Sequence, residues 1–154
     1  MTTLLRFLIT FTVTILSACF IVDKRTDYSE IQREVSRHRE IWQKNAIQNY
    51  QYVATEYCFC AQRKALIVVL DGSVAQVDLL PPLTGSGNIQ GLDLTMEQRF
   101  DLIEEGINKR YDEIHVSYNK NYGFPAEISF NPYKNAIDDE IAYIAYDFEV
   151  VSNP

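Results

Sequence analysis

Basic residues are scarce in this chain of 154 amino acids: 14 Lys and Arg stand against 21 Asp and Glu, a net charge of −7. A protein this acidic has no electrostatic footprint for a phosphate backbone and is repelled by anionic lipid surfaces, so nucleic acid is set aside as a partner. No apolar run reaches the ~20 residues of a comfortable membrane span. Cysteine is sparse, at Cys19, Cys58 and Cys60, and there are only two histidines, His38 and His115. The motifs of common catalytic sites are missing as well. There is no Gly-x-Ser-x-Gly elbow, no His-Glu-x-x-His pair and no Asp-x-Asp-x-Asp-Gly calcium loop, and the sequence therefore reads as no enzyme and carries no cofactor. The length allows one domain with a real core and not two independent ones.

What is present begins with location. Leu4 to Ala18 is apolar apart from Arg6 and ends in Leu16-Ser17-Ala18-Cys19. Its length suits a signal-peptide core, and the small Ser17 and Ala18 suit a peptidase that needs narrow side chains beside the scissile bond. This stretch resembles the lipobox of bacterial lipoproteins. The resemblance implies residues 1–18 as a signal peptide, cleavage before Cys19, and a diacylglyceryl thioether with N-acylation (palmitate or a similar chain) on that residue. Several acyl chains, at about 0.8 kcal/mol per buried CH₂, anchor far more firmly than one. An ordinary secretory signal or an uncleaved helix anchor is the plainer alternative. With Phe20 and not Asp after the cysteine, lipoprotein sorting by analogy places the chain, in a host with two membranes, on the outer membrane facing the periplasm. Loss of Arg6 with the signal takes 14 basic residues to 13 against 21 acidic ones, a net charge of −8.

Residues 19–28 then form a tether, and 29–154 one folded domain. Ser29-Glu30-Ile31-Gln32 reads as a capping box. Ile31, Val35, His38 and Trp42, with Ile41 beside them, form the apolar stripe of a helix from about Glu30 to Ala46, with Trp42 its core anchor. Tyr50 to Cys60 is rich in aromatic and β-branched residues and reads as a strand. Ala65 to Leu70 is an apolar run closed by Asp71-Gly72, a strong hairpin signal. A two-residue turn there pairs Leu70 with Ser73, Val68 with Ala75 and Leu66 with Val77. It puts Leu66, Val68, Leu70, Ala75, Val77 and Leu79 on the core face.

Pro81-Pro82 stops that strand. The loop after it contains Gly85-Ser86-Gly87-Asn88-Ile89-Gln90-Gly91, which has one residue too many for a dinucleotide fingerprint and no βαβ context. Thr95 to Gln98 is a second capping box, and Met96, Phe100, Ile103 and Ile107 carry a helix to about Lys109. Three strands follow, with Ile114, Val116 and Tyr118 inward in the first and Ala126, Ile128 and Phe130 in the second. In the third, Ala142, Ile144, Tyr146, Phe148 and Val150 share one face. The expected fold is α+β: two helix-plus-three-strand units, suspected as a structural repeat, forming one antiparallel sheet of about six strands with both helices on one face.

The only conspicuous chemical pair is Cys58-Phe59-Cys60. In a strand the two Cα atoms lie about 6.6 Å apart, close to the ~6.8 Å limit for a disulfide, so a bridge is feasible but strained. The pair has neither Cys-x-x-Cys spacing nor a helix N-terminus to favour redox catalysis. Zinc would need Cys58, Cys60, His38 and His115 together, which their spacing disfavours, so no metal site is expected. Asp138-Asp139-Glu140 reads as a solvated turn. Ten tyrosines suit either strand packing or a contact surface.

Trp42, Tyr50-x-Tyr52, Cys58-x-Cys60 and the Gly72 hairpin, together with Tyr122-Gly123-Phe124-Pro125, Ile128, the acidic turn, Tyr143 and Phe148, resemble a family of small secreted or lipid-anchored bacterial domains of unknown function, DUF6174. Phe124 stands where Tyr is commoner. The resemblance implies no activity, substrate or catalytic residue. The expected function is a non-catalytic, lipid-anchored envelope domain that binds an unnamed protein or envelope component with an open sheet face or an edge strand. The alternative is an envelope thiol–disulfide or metal-handling protein using Cys58 and Cys60.

Overall fold

The computed structural model describes residues 26–59, 62–81 and 91–152. Cys19, the expected signal peptide at 1–18, Cys60 and residues 85–90 of the glycine-containing loop lie outside them. The described chain runs α1 (Tyr28–Lys44), β1 (Tyr50–Cys58), β2 (Arg63–Leu70), β3 (Ser73–Leu79), α2 (Met96–Asn108), β4 (Glu113–Tyr118), β5 (Pro125–Asn131) and β6 (Ile141–Val150). Among the described residues no helix is long and apolar enough to cross a membrane.

The six strands form a single antiparallel sheet in the order β3-β2-β1-β6-β5-β4, so the fold is α+β as the sequence pattern predicts. The suspected repeat is not symmetric in the sheet. Unit one places its first strand, β1, at the centre, whereas unit two places its last, β6.

Both helices begin at side-chain caps, only one of them where the sequence suggests. At α2, Thr95 and Gln98 form the expected reciprocal box: the Thr95 hydroxyl accepts from Gln98 N and Gln98 Oε1 accepts from Thr95 N. At α1 the cap is Asp27, two residues before the predicted Ser29. Its carboxylate accepts from the backbone N–H groups of Ser29 and Glu30 and from the Ser29 hydroxyl. A carboxylate at a helix N-terminus meets the positive end of the macrodipole as well as the free donors, and so outcompetes the neutral serine.

One sheet face carries Tyr50, Tyr52 and Ala54 of β1, Ala65, Ile67 and Val69 of β2, and Ile128 and Phe130 of β5, all buried. Trp42 of α1 meets the rings of Tyr50, Phe124 and Phe148 edge-on at 5.5 to 6.0 Å. His38 stacks on Tyr118 at 3.8 Å, and Phe100 of α2 packs against the same tyrosine at 6.4 Å. Gly106 of α2 lies so close to Phe130 that a Cβ would sit 2.7 Å from its ring.

Two predicted faces are corrected by bulges. Ala75 is an extra residue in β3, because Val69 pairs with Val74 while Val68 pairs with Gln76. Val77 and Leu79 consequently oppose Ile67 and Ala65. The core residues of β2 are Ala65, Ile67 and Val69, while Leu66, Val68 and Leu70 point to the other face. In β6 the extra residue falls at Asp147–Phe148, with Asp147 at φ 50°. Phe148 therefore joins the buried cluster, whereas Ala142, Ile144 and Tyr146 face away from it. A bulge reverses the side-chain alternation beyond it.

Candidate functional site

Polar chemistry concentrates where β1, β6 and α2 converge. Across the sheet, Arg63 of β2 pairs with Glu56 of β1, and Glu56 with Tyr143 of β6. Glu56 is only 2% exposed. The Arg63 guanidinium grips it, Nε lying 3.1 Å from Oε1 and one terminal nitrogen 2.5 Å from both carboxylate oxygens. A buried carboxylate is tolerated only with such a partner. Gly91, at φ 92°, brings the chain back over this pair: a Cβ there would lie 3.4 Å from Glu56 Oε2 and 3.6 Å from the Tyr143 ring.

Beside it, Arg99 of α2 is 1% exposed, and its guanidinium is spent on neutral oxygens. Nε donates to the Pro125 carbonyl and a terminal nitrogen to the Tyr143 carbonyl, each at 3.0 Å. The Tyr52 side chain is a further hydrogen-bond partner, and the Tyr52 hydroxyl donates to the Leu94 carbonyl. Burial pushes the Tyr52 and Tyr143 phenols up to about 12 and moves Tyr50 in the same direction, so all three stay protonated and act as hydrogen-bonding groups. Burial also lowers the Arg99 pKa, against the opposing pull of Tyr52. The cluster fastens α2 to β5 and β6. The two guanidinium groups are taken up by carboxylate, carbonyl and phenol oxygens.

Sequence reasoning missed this cluster, although a signal was available. Arg99 falls between Met96 and Ile103 on the predicted apolar stripe of α2, where a charged residue must find partners inside the fold. Glu56 is a similar intruder, the one charged residue of β1.

Cys58 ends β1 opposite Ile141. Its sulfur lies 3.8 Å from Glu56 Oε1, on the carboxylate that Arg63 holds. Next to it is a shallow cleft of about 330 Å³ lined by Tyr57, Cys58, Phe59, Ser129, Glu140 and Ile141. The other candidate metal ligands are not brought here. His38 packs on the helix-contacted face against Tyr118, whereas His115 pairs with Ser129 on the reverse face of β4. Among the described residues no group of three or more His, Cys, Asp or Glu side chains could hold a metal ion. Asp139, from the acidic turn, accepts a hydrogen bond from Tyr133 N at 2.9 Å and so shapes its own loop.

The reverse sheet face is less polar than an alternating pattern would make it. Leu66, Val68 and Leu70 of β2 and Ile144 of β6 are only partly covered there, next to exposed Tyr146 and Tyr57. Lys64 lies over the Tyr146 ring at 5.4 Å. Polar Glu113, His115, Ser117, Glu127 and Ser129 occupy the same face on β4 and β5.

The model of a family described as a family of unknown function, DUF6174, matches residues 34–150, from the second turn of α1 to the end of β6. No curated protein and no solved structure matches the chain.

Proposed function

The chain belongs to that family, and on this premise we propose that it is a non-catalytic binding domain of the bacterial envelope. Lipid on Cys19 holds it to the outer membrane on the periplasmic side, and Cys58 and Cys60 form a structural bridge. The partner is a protein or envelope component that covers the reverse face of β2, β1 and β6. The observation behind this reading is the apolar strip of Leu66, Val68, Ile144 and Tyr146, bordered by polar residues on β4 and β5. Tyrosine and aliphatic side chains in such a setting favour a protein contact. The bonded state of Cys58 supports a structural cysteine pair over a reactive one.

Photo-crosslinking tests the reading. A photoreactive phenylalanine placed at Tyr146 should give a discrete adduct in living cells, and Leu66→Asp in the same strip should abolish it. An adduct indifferent to Leu66→Asp, or none at all, overturns the binding face.

A further inference from the structure

We infer that the sheet end carrying Phe59, Tyr133 and Ile137 rests on a zwitterionic phospholipid surface, the one to which the chain is anchored. This rests on the lipid-anchor reading and adds an orientation to it. Six large apolar side chains are exposed among the described residues, and four of them share this end. Phe59, 80% exposed, and Tyr57 lie at the end of β1, while Tyr133 and Ile137, 68% and 87% exposed, lie in the β5–β6 loop. Antiparallel pairing of Cys58 with Ile141 and of Phe130 with Ile141 puts both segments at one edge of the molecule. The loop is held in shape, with Ala136 N donating to the Tyr133 carbonyl at 2.7 Å and Tyr133 N to Asp139 at 2.9 Å.

The chain leaves the domain at this end. The Thr26 hydroxyl donates to the Asp112 carbonyl. Asp112 N donates to the Pro132 carbonyl at 3.3 Å, and Asp112 Oδ2 accepts from Lys134 N at 2.8 Å. From Cys19 to Thr26 the chain can span at most ~25 Å, and the nine residues of β1 alone measure roughly 30 Å. A tether shorter than the strand keeps the domain from standing on its far end, at Gly72 and Val150. Aromatic side chains suit the headgroup region, where one edge is apolar and the other wet. Asp112, Asp138, Asp139 and Glu140 outnumber Arg110 and Lys134 at this end, so the surface it meets is zwitterionic and not anionic.

The test uses the mature lipidated chain in phosphatidylcholine vesicles brominated in the acyl chains. Ile137→Trp and Val150→Trp each add a fluorophore at an exposed site, one at either end of the sheet, while the native Trp42 is buried and supplies the background. Tryptophan at 137 should lose about half of its added emission, the result of burial ~5–10 Å into the headgroup boundary, and at 150 none. Equal quenching at both sites overturns the orientation, as does a blue shift at 137 that tracks protein concentration and not lipid, which would assign this end to a second copy. Flotation of the same samples separates the two claims. A wild-type chain that floats no better than Cys19→Ala removes the anchor itself, whereas a floating but unquenched Ile137→Trp removes only the orientation.

Discussion

Arg39 and Arg99 sit on facing helices with the same charge, and the molecule treats them in opposite ways. Arg39 of α1 lies in a seam open to water, its side chain 22% exposed. Three carboxylates of α2 surround it: Glu97 at 3.6 Å, Asp101 at 2.6 Å and Glu104 at 3.3 Å. Its guanidinium carbon lies 5.2 Å from the centre of the Phe100 ring. Arg99 is buried on the sheet side of the same helix and bonds to carbonyl oxygens and a phenol. A charge in the solvated seam is stabilised by counter-charges whose pull water weakens. A charge in the interior needs fixed dipoles at the right geometry, and it holds two strands and a helix in register in return. The acidity of α2 thus belongs to the helix–helix seam, and its one buried cation belongs to the sheet.

Removing Arg99 should give the largest effect. Arg99→Ala leaves the Pro125 and Tyr143 carbonyls without donors inside a closed layer, so we expect a loss of about 3–5 kcal/mol in urea unfolding, insensitive to salt. Arg99→Lys should recover little, because one ammonium cannot span both carbonyls. A variant within about 1 kcal/mol of wild type would mean that water replaces the guanidinium there.

Arg39→Ala should cost about 1 kcal/mol or less, shrinking as salt rises, because its partners are a third to two-thirds exposed. A salt-independent loss as large as that of Arg99→Ala would erase the distinction between seam and interior.

The smallest effect concerns pH at the edge of the seam. Burial against Tyr118 lowers the His38 pKa, with Arg37 acting in the same direction and Glu34 and the Gly123 backbone opposing. The folded protein therefore keeps His38 neutral where the unfolded chain begins to take up a proton, near about 6.5. Stability should be full above that pH and decline as pH falls from there through the lowered native value. His38→Phe, which keeps a ring against Tyr118, should remove this step from unfolding curves recorded between about pH 7 and 5. Unchanged pH dependence in that variant would assign the decline to other groups.

Where one face of a strand is polar, its orientation is legible in the sequence. β4 alternates without interruption, and Ile114, Val116 and Tyr118 lie on the helix-contacted side as their spacing predicts. Ala65–Leu70 is apolar at every position, so alternation carries no information about which side is buried, and the Ala75 bulge that decides it has no marker. Asp147 hides a second bulge in β6, where an unbroken alternation had placed Phe148 with Tyr146. The Thr95 box, the Asp71-Gly72 turn and the family resemblance rest on local chemistry and are readable. The Arg99 cluster depends on carbonyls 26 and 44 residues further along the chain, and the Glu56–Arg63 pair on the β1–β2 register, so the polar intruders mark the positions but no local pattern names their partners.

The Ala75 bulge has a further consequence for encounters between copies of the chain. When copies of a chain meet, a flat, unpaired outer strand invites one sheet to extend into the next. β3 is such an outer strand, but its ladder is interrupted at Ala75 and it carries exposed Asp78 and Gln76. An interrupted, negatively charged border is a poor template for another strand. The irregularity that obscures the fold in the sequence thus also guards the β3 edge of the sheet.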